Sequence, residues 1–212
     1  IDQILDLFST LPLSPKTSKI LDLGCGKGAL CVRLASKFGF YAVGVDAMPE
    51  FLKEAHEKSS EHQVSDLCTF IEQDILTYVK DKHNFDVVIL ASLGGVLGSN
   101  YDTIKKLRTQ VRVGGYIVID DGYLKKRKFM SRKGYEHYRN YKRTVEEFTM
   151  FNDRILTEIP TTEISMKIND EYLKVIEKRS SELIDQYPEL KKDLNCYLDV
   201  QREECDILNR EL

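Results

Sequence analysis

No stretch of this 212-residue chain approaches the roughly 18 consecutive apolar residues of a membrane-spanning helix, and no basic segment followed by an apolar one opens it. The expectation is therefore no membrane and no export. Five cysteines (Cys25, Cys31, Cys68, Cys196, Cys205) make an odd count with no C-x-x-C pair and no histidine cluster beside them. That pattern argues against a disulfide framework and against a zinc site, so no metal is assigned and a cytoplasmic location is expected. Internal repeats and low-complexity linkers are missing as well. A net charge of −3 excludes no class of partner, but its distribution is uneven. Residues 123–143 hold nine Lys or Arg against only Glu136, a local +8 that leaves −11 for the remainder.

What is present is a regular alternation. Ile20–Leu23 reads as a buried strand, and Ala29–Phe38 carries apolar residues at helical spacing. Tyr41–Asp46 is a second strand, followed by a helix that starts near Pro49, where proline suits a first turn. Thr69–Glu72 is a short third strand. Phe85–Ala91 is a fourth, and its unbroken apolar run suits burial on both faces. A helix over Tyr101–Val111 leads to a Gly114-Gly115 turn and a fifth strand, Tyr116–Ile119, ending at Asp120-Asp121. Strands alternating with helices predict an α/β, doubly wound, mostly parallel sheet of Rossmann-like type, with ligands beyond the carboxyl ends of the strands. Later, a helix is expected over Lys142–Phe151, a sixth strand over Arg154–Pro160, and helices from Asp170 onward.

The stretch LDLGCGKGAL, residues 21–30, places Gly24, Gly26 and Gly28 in the turn between the first strand and the first helix. Backbone amides and a helix N-terminus there suit a nucleotide-like ligand. A dinucleotide would usually bring G-x-G-x-x-G, and here the third glycine is one position early. Five motifs in order over residues 19–121 resemble those of the class I S-adenosylmethionine-dependent methyltransferases: ILDLGCGKG, VGVDAMPEFL, FIEQDIL, FDVVILASLGG and LRTQVRVGGYIVIDD. The resemblance implies that family's fold with S-adenosylmethionine as cofactor. It places Asp22 near the methionine amino group with Gly24, Cys25, Gly26 and Gly28 against the cofactor. It sets Asp46 on the ribose hydroxyls with Ala47 beside it, Asp74 near the adenine amino group, Ile75 against the ring, and Ala91 at the end of the fourth strand. Cys25 reads as a small structural residue, because no basic partner is visible to activate its thiol.

The cofactor carries an already activated methyl group, so the motifs imply no obligatory catalytic residue, and alignment for in-line displacement is the main requirement. ASLGG at residues 91–95 is unlike the corresponding stretches of DNA amino- and cytosine-C5-methyltransferases. Asp121, Tyr123 and His137 are candidate acid/base or acceptor-orienting groups by position after the fifth strand. The basic, tyrosine-rich segment 123–143 reads as a solvated helix, a lid over an anionic small molecule, or a strip for RNA. The expected organisation is a core over 1–168 that includes this lid, then a helical cap or insertion over 169–212 that covers the pocket, mediates a homodimer or packs on the sheet. Thr162–Ile168 is either a strand in a tight hairpin or part of that insertion, and the insertion is favoured, with a seventh strand beyond Leu212. The expected activity is methyl transfer to a small molecule, an anionic one among the candidates. RNA methylation and a non-catalytic cofactor-binding scaffold are the alternatives.

Overall fold

Five strands, β1 (Lys19–Leu23), β2 (Tyr41–Asp46), β3 (Cys68–Glu72), β4 (Phe85–Ala91) and β5 (Val111–Asp120), form one parallel sheet in the order β3-β2-β1-β4-β5. The coordinates are a computed structural model, and they describe residues 1–125 and 134–212. The chain winds outward from β1 through β2 to β3, then returns across β1 to lay down β4 and β5. That reversal opens a crevice between the carboxyl ends of β1 and β4, the position where ligands enter such sheets.

Side chains along β1 and β4 alternate between two cores, as the two-residue period of a strand requires. Ile20, Val87 and Ile89 pack with Leu5, Phe8, Leu30, Leu34 and Phe40, from α1 (Asp2–Thr10), α2 (Ala29–Phe38) and the start of β2's approach. Leu21, Leu23, Val88 and Leu90 pack on the other face with Tyr78 of α4 (Ile75–Tyr78) and Leu107 of α5 (Asn100–Leu107). Beside α2, packed over β2 and β3, lies α3 (Pro49–Glu61), which begins at Pro49 as expected. Burial of β4 on both faces explains its unbroken apolar run.

The later chain departs from the expectations. Gly114 and Gly115 lie inside β5, which starts at Val111, and α5 ends at Leu107. Arg154–Pro160 has no regular secondary structure and pairs with no described strand, so the sixth strand does not form. A strand needs a neighbour's open edge, and apolar alternation alone cannot supply it. Thr162–Ile168 is helical: it opens α7 (Thr162–Gln186), which turns back through α8 (Lys191–Glu211), so the expected boundary at 168/169 falls inside a helix. The helix expected over Lys142–Phe151 is α6 (Tyr141–Phe148), capped by the Asn140 side chain on the Arg143 amide. The end of α8 docks on the segment after β5: Lys125 N–H donates to the Glu211 carbonyl at 2.9 Å, and Ile207, Leu208 and Leu212 pack on Leu124 and Tyr138.

Candidate active site

The glycine turn leaves β1 with all three glycines in the left-handed region, at φ of 70°, 53° and 70° for Gly24, Gly26 and Gly28. Their surroundings differ. A Cβ on Gly24 would come within 2.4 Å of Leu93 Cδ1, and one on Gly28 within 2.7 Å of the Ala55 Cβ. A Cβ on Gly26 would meet nothing within 4 Å. Two of the three glycines therefore make room for the protein itself, and only Gly26 opens onto free space. Gly28 also begins α2, and no side chain caps that helix, which leaves its first amides available to a ligand.

Asp46 holds the turn in place. One carboxylate oxygen accepts from the Gly26 amide at 2.8 Å and the other from the Met48 amide at 2.9 Å. Each oxygen keeps a second lone pair for a hydroxyl. Asp46→Ala is accordingly expected to weaken S-adenosylmethionine binding by about 1–3 kcal/mol and also to lower the melting temperature, because two amides lose a charged acceptor. Calorimetric titration beside a thermal melt checks both effects; an unchanged dissociation constant would remove Asp46 from the site.

Asp22 is only 5% exposed, and its side-chain partner is the Cys31 thiol, which donates at 3.6 Å. Burial above all, with the nearby Asp46 carboxylate adding to it, pushes its pKa up to about 7. A buried carboxylate without a cation is the counterpart an ammonium group needs. Cys25 fills the space left by Gly44, where a Cβ would meet its sulfur at 2.6 Å. Burial first, and then Asp22 and Asp46, push its thiol well up, so Cys25 is a neutral packing residue.

Asp74 and Ile75 follow β3 at the start of α4. The Asp74 carboxylate caps α4 by accepting from the Leu76 amide at 2.8 Å, and Ile75 is buried in the core. The exposed apolar side chains at this end of β2 and β3 are Met48 and Leu76, which motif matching passed over. Ala47 is exposed beside Asp46, and Ala91 ends β4 opposite Asp120 in register.

Across the crevice lies a second set of residues. A cavity of about 1310 Å³ runs along the open edge of β5 under α6, α7 and the end of α8. Leu93, packed on Gly24, also lines it, and so separates the glycine turn from the cavity. At its carboxyl-end mouth stand Ser92, Asp120, Asp121, Tyr123, His137 and Tyr138. Ser92 holds a φ of 57° and is fastened to Asp120 twice, by its amide to the carbonyl at 3.0 Å and by its hydroxyl to the carboxylate at 3.2 Å. A non-glycine residue in that region stores strain, which is concentrated here at the point where the two pockets meet.

All three acid/base candidates line this mouth, and two of them meet. His137 Nε2 lies 3.5 Å from Asp121 Oδ2, within ion-pair range but without hydrogen-bond geometry. The imidazole is buried, and neither ring nitrogen has a hydrogen-bond partner among the described residues. Gly94 and Gly95 make this possible, because a Cβ on Gly95 would come within 2.5 Å of Nδ1. Tyr138 packs against the imidazole with ring centroids 4.0 Å apart and the planes tilted by 38°. Burial first, and then the Asp121 carboxylate to which its hydroxyl donates, push the Tyr138 phenol well up. Tyr123 is exposed against Tyr141 in an edge-on pair at 5.1 Å. The glycine pair after β4 is the sequence signal that would have pointed to a bulky neighbour there. Of the basic segment, residues 126–133 lie outside the described residues, and Phe129 with them.

A family model described as a methyltransferase domain matches residues 14–185. The chain belongs to the class I S-adenosylmethionine-dependent methyltransferases. This methyltransferase is 35% identical over 100 residues to the putative methyltransferase YqeM of Bacillus subtilis, a match covering 47% of the chain and 39% of YqeM. The chain thus spans well under half of that relative. Its fold is similar to that of a methyltransferase of Geobacter sulfurreducens crystallised with S-adenosylhomocysteine, at TM-score 0.81 and 20% identity over 99% of this chain and 86% of that one. YjhP of Escherichia coli is similar too, at TM-score 0.80 and 17% identity over 99% and 87%. The residues of this methyltransferase fit the cofactor. They comprise a buried carboxylate at Asp22, an open backbone at Gly26, an uncapped N-terminus at α2 and free lone pairs on Asp46. Among the described residues no helix is long and apolar enough to cross a membrane, and no group of three His, Cys, Asp or Glu could hold a metal.

Proposed function

We propose that the chain transfers a methyl group to a small molecule bound in the cavity at the carboxyl ends of β4 and β5, with His137 accepting a proton and Asp121 orienting it. One observation carries this reading: a buried imidazole whose two nitrogens have no hydrogen-bond partner among the described residues lines a cavity that Leu93 separates from the glycine turn. S-adenosylmethionine, when bound, supplies a methyl group activated by its sulfonium. Asp22, the glycine turn and Asp46 hold that molecule, with the apolar side chains Met48 and Leu76 near its base. The chain aligns the acceptor for in-line displacement and excludes water. Orientation of this kind supplies about 7–11 kcal/mol of such a barrier.

His137 then removes the proton that the acceptor must lose. The Asp121 carboxylate stabilises the imidazolium that forms, while the Tyr138 hydroxyl and the Gly122 amide, donating at 2.8 Å, hold that carboxylate in position. The α7–α8 cap roofs the cavity through Thr162, Met166, Asn169, Leu208 and Leu212.

Titration with S-adenosylmethionine, S-adenosylhomocysteine and NAD tests the cofactor half, and binding of NAD alone would overturn it. His137→Gln tests the other half. Release of S-adenosylhomocysteine with a panel of small acceptors is expected to fall about 10²–10⁴-fold, the usual worth of a general base. Cofactor affinity is expected to stay unchanged. Loss of cofactor binding in this variant would mean that His137 only supports the fold.

A further inference from the structure

The mouth of the cavity is acidic and aromatic. Asp120 and Asp121 follow one another at the end of β5, and Glu158 of the segment 154–160 lines the same cavity, accepting from the Tyr141 hydroxyl at 2.9 and 3.1 Å. Tyr123, Tyr135, Tyr138 and Tyr141 line the same region, and the Tyr135 hydroxyl donates to Glu204 of α8. A phenol that donates to a carboxylate presents a more electron-rich ring face. Every part of this wall therefore favours positive charge.

Among the described residues, no lysine or arginine pairs with Asp120, Asp121 or Glu158. The basic side chains among the described lining residues are Arg108, Arg112 and Arg154. Arg112 pairs with Asp86, and Arg108 with Asp153 beside Arg154, all at the amino end of β5. Farther along the basic segment, the Arg139 guanidinium donates to the carbonyls of Glu136 and Tyr138, and Lys142 and Arg143 pair with Glu146 and Glu147. None of these three lines the cavity. Among the described residues, the basic group paired with Asp121 is the imidazole of His137, at 3.5 Å.

Resting on the cavity being the acceptor site, we propose that the acceptor is an amine, bound as its ammonium ion between Asp121 and the tyrosine faces. An ammonium nitrogen has no lone pair to offer a methyl carbon, so the site must also remove a proton. His137 is placed for that step. The proton passes from the nitrogen to the imidazole, the freed lone pair forms the new N–C bond as the S–C bond of the cofactor breaks, and S-adenosylhomocysteine leaves with the bonding electrons. The carboxylates that attract the cation also stabilise the imidazolium afterwards, so binding and deprotonation use the same charges. An oxygen or carboxylate acceptor gains nothing from this wall.

Binding of three isosteric probes, benzylamine, benzyl alcohol and benzoate, to the protein saturated with S-adenosylhomocysteine tests the proposal without turnover. Benzylamine is expected to bind at least tenfold more tightly than either of the others. Asp121→Asn should erase most of that preference, and Tyr123→Leu, at an exposed position that leaves the core intact, should weaken benzylamine severalfold while leaving benzyl alcohol within about twofold. Benzoate or benzyl alcohol binding as well as benzylamine would overturn the amine assignment and leave the cavity as the acceptor site. A benzylamine preference that both variants retain would place the amine elsewhere and overturn the proposal. Failure of S-adenosylhomocysteine itself to bind would overturn the methyltransferase reading, which separates the two failures.

Discussion

Asp22→Asn is expected to make the ligand-free protein more stable and S-adenosylmethionine binding weaker, two effects of opposite sign from one substitution. Burial raises the carboxyl from its unfolded 3.8 to about 7, so the folded protein holds a proton there that the unfolded chain has released. A raised folded-state pKa gives stability that is complete below 3.8 and is lost as the pH rises through 7. At about 1.4 kcal/mol per unit, the ionised carboxylate costs on the order of 4 kcal/mol at alkaline pH. Asparagine keeps the shape without that cost, and its melting temperature should exceed that of the parent protein by more at pH 8 than at pH 5. The ammonium of the cofactor prefers the ionised form. Binding should therefore release a proton, and the dissociation constant should fall with rising pH below about 7 and level off above it. In Asp22→Asn the affinity drops by about 1.5–3 kcal/mol, the worth of a hydrogen bond to a charged group, and the pH dependence disappears. Melting curves and titrations at several pH values report both; a variant with parental affinity at pH 8 would remove Asp22 from the cofactor site.

Gly28→Ala and Gly26→Ala, two residues apart and with the same backbone strain, should fail in different ways. At Gly28 the new methyl meets the Ala55 Cβ at 2.7 Å and the Phe70 ring at 2.9 Å, and φ is +70°. A left-handed non-glycine residue costs about 1–2 kcal/mol and overpacking about 1–3 more. The sum corresponds to a fall in melting temperature of roughly 5–20 °C for a domain of this size. At Gly26 only the backbone term applies, because a Cβ there would meet nothing within 4 Å. A melting temperature within a few degrees of the parent is expected there, together with a large loss of cofactor affinity as the methyl enters the space the ligand uses. If Gly26→Ala bound the cofactor normally, the open space at that position would face away from it.

The strands β1 to β4 and their connecting helices were legible in the sequence because each depends on local information. Apolar runs of strand length, a proline at the start of α3 and glycines at the end of β1 act within a few residues of themselves. The motif order likewise marks Asp22, the glycine turn and Asp46 as candidates, and the family match supports the cofactor they imply. Three things depended on the tertiary structure. Whether Arg154–Pro160 becomes a strand depends on an edge elsewhere in the chain, and here it remains unpaired across the cavity from β5. Which glycine keeps open space depends on Leu93 and Ala55, side chains on other elements that fill the space at Gly24 and Gly28. The meeting of His137 with Asp121 depends on the return of the chain after β5, on the glycines at 94 and 95 that clear room for the ring, and on the docking of α8 against Leu124 and Tyr138. A sequence records the residue types that can do chemistry; the distance between two of them that lie sixteen positions apart is set by packing that neither of them encodes.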